Sequence, residues 1–274
     1  MKVIGIDFTS RPGISKPITC SFCKFKKSRL TVQGHKNLNS FYEFEELLGQ
    51  KGKWIAGIDF PFGQSRKLVS NLGWPSTWEA YVAQVGNMSK EQFVDVLETY
   101  KASRAVGDKE HKRITDQLAD SISPQKLYGV PVGKMFFEGA PRLLRSPASI
   151  VPMRFRDDKR IIVEAYPALP ARRWNKGQGY KSDTKAKQTE AQRAARDSIV
   201  AGLLSSEFKK IYGFEIECSD QDKTRYIHDP TGDQLDALLC AVQAAWSWSS
   251  RNENFGVRKN ADRLEGWIVD PGLC

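Results

Sequence analysis

Cysteine and histidine are both scarce, with five cysteines and three histidines in 274 residues. The cysteines (Cys20, Cys23, Cys218, Cys240 and Cys274) are odd in number and widely spaced, unlike the framework of a small secreted disulfide protein. Cys20 and Cys23 form a lone C-x-x-C in a stretch that reads as a strand. The second ligand pair that a zinc site needs is missing, and His35, His111 and His228 are scattered. No apolar run approaches the roughly 18 residues of a membrane span. Met1–Phe8 has neither the basic start nor the small-residue cleavage site of a secretory leader, so the expected location is the cytoplasm. Low-complexity segments and flexible linkers are also lacking.

What remains is an ordinary globular composition, 40% hydrophobic and 27% charged, with a net charge of +10. The positive excess is uneven: Lys101–Arg160 holds 13 Lys/Arg against 7 Asp/Glu, and Pro167–Arg196 holds 8 against 2. Lys and Arg neutralise phosphates and release their counterions, so a basic surface of this kind suits a polyanionic partner such as DNA or RNA.

Hydrophobic patterning predicts strands at Lys2–Phe8, Ile18–Lys26, Arg29–His35, Trp54–Phe60 and Arg160–Tyr166. Glu265–Val269 is a further candidate. Ser40-x-x-Glu43 opens a helix that Gly49 closes, and Ser89-x-x-Gln92 and Thr189-x-x-Gln192 open two more. Asp229-Pro230 predicts the start of a last long helix running to about Ser249. The expected fold is therefore α/β, with a mixed five-stranded sheet flanked by helices and a largely helical insertion over 64–152. Within that insertion, Gly129–Pro147 is rich enough in Gly and Pro to read as a structured loop with a short helix.

The tetrapeptide G-I-D-F occurs twice, at Gly5–Phe8 and Gly57–Phe60, each time ending an apolar strand. If the two strands are parallel neighbours in register, Asp7 and Asp59 face the same way at the strand ends, where α/β sheets hold their ligands. Glu164 is expected to join them from a third strand. Asp233 and Asp236, three residues apart on the last helix, would reach the same pocket, with Leu235, Leu238, Leu239, Val242 and Trp246 packing on the sheet edge. Such a hard-oxygen cluster suits Mg2+ or Mn2+. Two ions about 4 Å apart would clamp the attacking water and the leaving oxygen of a phosphodiester. Lys134, Arg142 and Arg145, with Glu138 among them, are candidates to lie over this site and grip phosphate.

The motifs G-I-D-F-T-S (Gly5–Ser10), G-I-D-F-P-F-G (Gly57–Gly63), V-E-A-Y-P (Val163–Pro167) and G-D-Q-L-D-A-L-L-C-A (Gly232–Ala241) resemble domain-of-unknown-function family 429. P-V-G-K-M-F-F-E-G-A-P-R-L-L (Pro131–Leu144) and E-G-W-I (Glu265–Ile268) resemble it too, in the expected order over nearly the whole chain. The family is usually described as predicted ribonuclease H-like nucleases. The resemblance implies a ribonuclease H-like sheet, acidic site residues at Asp7, Asp59, Glu164 and Asp233 or Asp236, and divalent-metal phosphodiester hydrolysis. Two alternatives stand beside it. One is a phosphotransferase or ATPase of the actin-like group, whose first phosphate loop G-I-D-F-T-S resembles except that Thr9 stands where Gly is common. The other is a non-catalytic nucleic-acid-binding module.

Overall fold

The computed structural model describes residues 1–274. It is an α/β structure built on one mixed sheet of seven strands, two more than the sequence pattern predicts. The five expected strands are β1 (Lys2–Asp7), β2 (Ile18–Phe25), β3 (Arg29–Leu38), β4 (Trp54–Asp59) and β6 (Arg160–Glu164). The additional strands are β5 (Ser149–Val151) and β7 (Glu215–Glu217), three residues each, too short for a period-two pattern to mark them. The order is β5-β6-β4-β1-β2-β3-β7. β1 runs antiparallel to β2, and β2 to β3; β4 is parallel to β1, and β6 to β4. The candidate strand at Glu265–Val269 is a single parallel bridge between Glu164 and Ile268.

Each face of the sheet carries its own core, as side-chain alternation requires. Ile4, Ile6, Phe8, Cys20, Ala56, Ile58, Phe60 and Ile162 face one side. They pack on α1 (Phe41–Gly49) and on the segment between β4 and β6, which contains α2 (Arg66–Asn71), α3 (Trp78–Gly86), α4 (Lys90–Ala102), α5 (Ile114–Leu118) and α6 (Val132–Arg145). Val3, Cys23, Ile55 and Val163 face the other side. That side is covered by α7 (Ala168–Arg172), α8 (Glu190–Leu203), α9 (Ser206–Tyr212), α10 (Asp220–His228) and α11 (Asp233–Ser249). Cys20 and Cys23 thus lie in opposite cores, so the C-x-x-C cannot act as one ligand pair. No helix is long and apolar enough to cross a membrane.

Three local expectations are revised. The segment read as a loop is the 14-residue α6, with Pro141 inside it. Packing overrides propensity here. Gly139 lets the helix sit on Phe60, where a Cβ would stand 2.4 Å from the ring, and Pro141 packs beside Gly86. The last helix begins at Asp233 and not Pro230, because Gly232 adopts φ +72° before it. The segment between β4 and β6 is not a pure insertion, since its end, β5, pairs with β6.

Candidate active site

β1 and β4 are parallel and in register, with Gly5 opposite Gly57 and Asp7 opposite Asp59. Residues two apart share a face, so both glycines and both aspartates lie on the α11 side of the sheet. The glycines let that helix approach. A Cβ on Gly5 would stand 1.8 Å from the Ala237 carbonyl oxygen, and one on Gly57 would stand 2.4 Å from that of Cys240. The stripe of α11 facing the strands is therefore small: Ala237, Cys240, Ala241 and Ala244. Leu235, Leu238 and Leu239, with Val242 and Trp246, lie in the second core, in one cluster with the strand residues Val3, Cys23, Ile55 and Val163. Asp233 and Asp236 stand in the first turn of α11, beside the ends of β1 and β4.

Four of the five expected carboxylates are thereby brought together, and each sits differently. Asp236 is fully buried; it accepts a hydrogen bond from the Tyr180 hydroxyl at 2.6 Å and pairs with the Lys181 ammonium. Asp233 takes the Lys16 ammonium at 2.8 Å. Asp7, 8% exposed, and Asp59 receive no hydrogen bond from any protein group. Burial pushes the Asp7 carboxyl well above the usual range; the Lys181 ammonium opposes this, and Asp236, Asp233 and Asp59 add to it. Burial pushes Asp59 up to about 7, with Lys181 again opposing and Asp236 adding. Asp233 is raised by burial against the pull of Lys16. The Lys181 side chain is 41% exposed, and its ammonium pairs with the fully buried Asp236. Burial there opposes the charge, but Asp236, Tyr180 and Asp7 hold it above the usual lysine range.

Glu164 is not part of this group in the same sense. Its register partner on β4 is Ile58, so it lies on the face opposite Asp59. A one-residue step along a strand changes the face, and Ala165, whose N–H bonds the Ile58 carbonyl, stands beside Asp59 instead. Glu164, 2% exposed, is gripped by both terminal nitrogens of Arg113, at 2.8 and 2.6 Å, and accepts the Phe62 N–H at 3.0 Å. Arg113 also holds Asp116, through Nε at 2.8 Å and one terminal nitrogen at 2.7 Å. Sequence reasoning missed Arg113, Tyr180 and Lys181, because none sits in a motif; a cation to balance Glu164 was the available signal.

The candidate phosphate-gripping residues are distributed along α6. Lys134 lies over the Tyr128 ring at 5.6 Å. Arg142 pairs with Glu138 and Glu45 and stacks over Phe41, while Arg145 pairs with Glu45 at 2.7 Å. Arg142 and Arg145 are thus engaged within the protein. Exposed basic residues without an ion pair near the site in sequence include Arg11, four residues beyond Asp7, and Lys176, Lys185 and Lys187, on the segment that carries Tyr180 and Lys181.

The donor chemistry fits one hard divalent ion at Asp7 and Asp59. Two ammonium groups face four carboxylates there, and one of them, Lys16, is shared with Asp183, so at least two negative charges are left to balance when all four are ionised. The five-carboxylate, two-ion centre does not fit: no group of three or more His, Cys, Asp or Glu is arranged to hold a metal ion, and Glu164 is taken by Arg113. A cavity of about 320 Å³ opens beside Asp59, walled by Phe60, Val130, Met135 and Tyr166, with Lys181 at its edge.

The family described as Protein of unknown function (DUF429) matches residues 5–255. The chain belongs to this family. Searches of curated proteins and of solved structures find no match to it. The match runs from within β1 to beyond the end of α11, so the paired G-I-D motifs, Glu164 and both α11 aspartates all lie within the family's region.

Proposed function

We propose that this DUF429 chain is a divalent-metal-dependent phosphodiester hydrolase acting on nucleic acid, built on a ribonuclease H-like core. One observation carries the reading: Asp7, buried, and Asp59, half-buried, are register partners at the ends of parallel strands with no hydrogen-bond donor, in a cluster short of positive charge when its carboxylates are ionised. A buried carboxylate with no partner is costly, and a bound cation removes the cost. Mg2+ or Mn2+ would be held by Asp7 and Asp59, with Asp236 or Asp233 completing the set as its ammonium partner turns away. When bound, such an ion lowers the pKa of its water and polarises the phosphoryl oxygen.

The protein's own groups do the rest. Lys181, with a partly exposed side chain, exchanges its carboxylate partner for a substrate phosphate oxygen. Lys176, Lys185 and Lys187 hold the phosphate backbone. Tyr180 orients Asp236 through its hydroxyl. Glu164 acts indirectly: clamped by Arg113 and Phe62, it fixes the chain leaving β4 directly after Asp59.

The test is a calorimetric titration of Mn2+ into wild type and Asp7→Asn, with a nuclease screen of both on mixed DNA and RNA. Binding and cleavage in wild type, both lost in Asp7→Asn, support the reading. Absence of Mn2+ binding at millimolar concentration overturns it in favour of a nucleic-acid-binding module whose carboxylates are neutralised by Lys16 and Lys181 alone. That module is the second reading, favoured by the absence of a preassembled three-ligand set.

A further inference from the structure

The cavity beside Asp59 differs in character from the acidic cluster. Ten of its 18 lining residues are hydrophobic, and its volume of about 320 Å³ is at the small end of ligand pockets. Its outer rim exposes Val130 (61%) and Ile122 (41%), apolar side chains left in water beside the opening. Tyr166 supplies an aromatic wall, with the Arg172 guanidinium seated over its ring at 5.5 Å.

The polar groups in the wall are already committed. All five N–H donors of Arg113 are used, on Asp116, Glu164 and the Glu265 carbonyl. Ser121 donates to Asp116, Tyr180 donates to Asp236, and the Tyr166 hydroxyl accepts from Arg172. The cavity therefore offers apolar and aromatic contact and few free hydrogen-bonding groups. Asp59 and the Lys181 ammonium lie at its polar edge. Lys176 and Lys185 are each within five residues of Lys181 in the chain, which limits their Cα atoms to roughly 18 Å from it.

We propose that this cavity receives one unstacked nucleobase, so that the substrate of the acidic site is a nucleic acid with an unpaired nucleotide, either single-stranded or extruded from a helix. The inference rests on the phosphodiester reading and names the substrate class of that site. The space takes a flat group of base size but not a duplex, whose bases are inaccessible until they leave the stack. With the sugar-phosphate at Lys181 and the basic segment, the base points to the apolar walls. Contact with the π-face rather than the base edge makes the pocket tolerant of base identity.

The test uses a short single-stranded oligodeoxynucleotide carrying 2-aminopurine, and the same strand in a matched duplex, titrated with full-length protein in the presence of Ca2+. The expected result is a fluorescence change on the single strand, with affinity at least tenfold above the duplex. Val130→Trp and Ile122→Trp, both at exposed positions, are expected to weaken single-strand binding about tenfold, within the range one stacked base contributes. Mn2+ affinity should be unchanged in both variants. Equal affinity for single strand and duplex, or full affinity in both folded variants, overturns the proposal. The fluorescence signal does not depend on cleavage. Base binding without cleavage therefore removes the hydrolase reading and leaves the pocket, while cleavage without base discrimination does the reverse.

Discussion

Gly5 of β1 lies directly against Ala237 of α11, so closely that a Cβ would fall 1.8 Å from the Ala237 carbonyl oxygen and 2.3 Å from the Ala241 nitrogen. The obstacle is main chain on a helix buried on all sides, which cannot step aside as a flexible side chain would. The repeated G-I-D motif thus joins two requirements on one face of the sheet. The glycine admits the helix, and the aspartate two residues later meets the carboxylates the helix brings.

Gly5→Ala is accordingly expected to lower stability by about 3 kcal/mol, the upper part of the usual overpacking range. It should also weaken Mn2+ binding, because α11 must move and takes Asp233 and Asp236 with it. Gly13→Ala is the control: nothing lies within 4 Å of its added Cβ, so it should change stability by less than about 0.5 kcal/mol. Urea denaturation of the two variants reads the difference. Equal midpoints would show that the helix does not rest on Gly5.

Much of this arrangement is legible in the sequence, and what is not has identifiable causes. The register of Asp7 with Asp59 follows from two copies of one motif at the ends of two strands. The capping boxes at Ser89 and Thr189 begin their helices as read. Glu164 misleads because a continuous apolar run, I-I-V-E, carries no period-two signal to say which face the Glu takes. Lys181 and Tyr180 are invisible because they reach the site from a loop far along the chain, and Arg113 because its partners become neighbours only in the folded sheet. α6 hides behind Gly139 and Pro141, residues whose helical cost is outweighed by contacts with Phe60 and Gly86.

Glu164 and Asp7 should separate experimentally. Arg113, 1% exposed, is bound between two carboxylates, so Arg113→Met strands two buried charges and should cost about 3–5 kcal/mol. Glu164→Gln should lower stability but leave Mn2+ affinity within about twofold of wild type, whereas Asp7→Asn should abolish binding. The Arg113→Met/Glu164→Gln double variant should recover part of the Arg113→Met loss, since one stranded charge is removed. If Glu164→Gln loses Mn2+ as completely as Asp7→Asn, Glu164 leaves Arg113 to ligate the ion.

The ammonium of Lys181 competes with any cation for the carboxylates around it. Lys181→Met removes the competitor and leaves Asp236 with only the Tyr180 hydroxyl as partner. Mn2+ affinity is expected to rise about tenfold, equivalent to roughly 1.4 kcal/mol, while cleavage falls because the phosphate contact is gone. Calorimetry on the variant checks the first effect and a nuclease assay the second; a lower Mn2+ affinity would mean that Lys181 positions the carboxylates instead of blocking them.

Asp59 gives the fold a pH dependence of unusual sign. Its folded pKa is raised to about 7 by burial, so in the range between an ordinary carboxylate and that value the folded protein holds a proton that the unfolded chain has released. Stability is therefore lost as pH rises from about 4 to about 7, and the loss is complete above that range. Asp7, raised in the same direction by the same cause, adds to the effect. Asp59→Asn should then be more stable than wild type by about 1–2 kcal/mol at pH 8 and nearly equal to it at pH 4. Mn2+ should reverse the order, stabilising wild type at pH 8 through the ionised carboxylates while leaving Asp59→Asn almost unmoved. Thermal melts of both proteins at the two pH values, with and without Mn2+, test every part of this. A wild-type melting temperature that rises from pH 5 to pH 8 without metal would mean that Asp59 is already ionised in the folded state, with the Lys181 ammonium and not a divalent ion as its counter-charge.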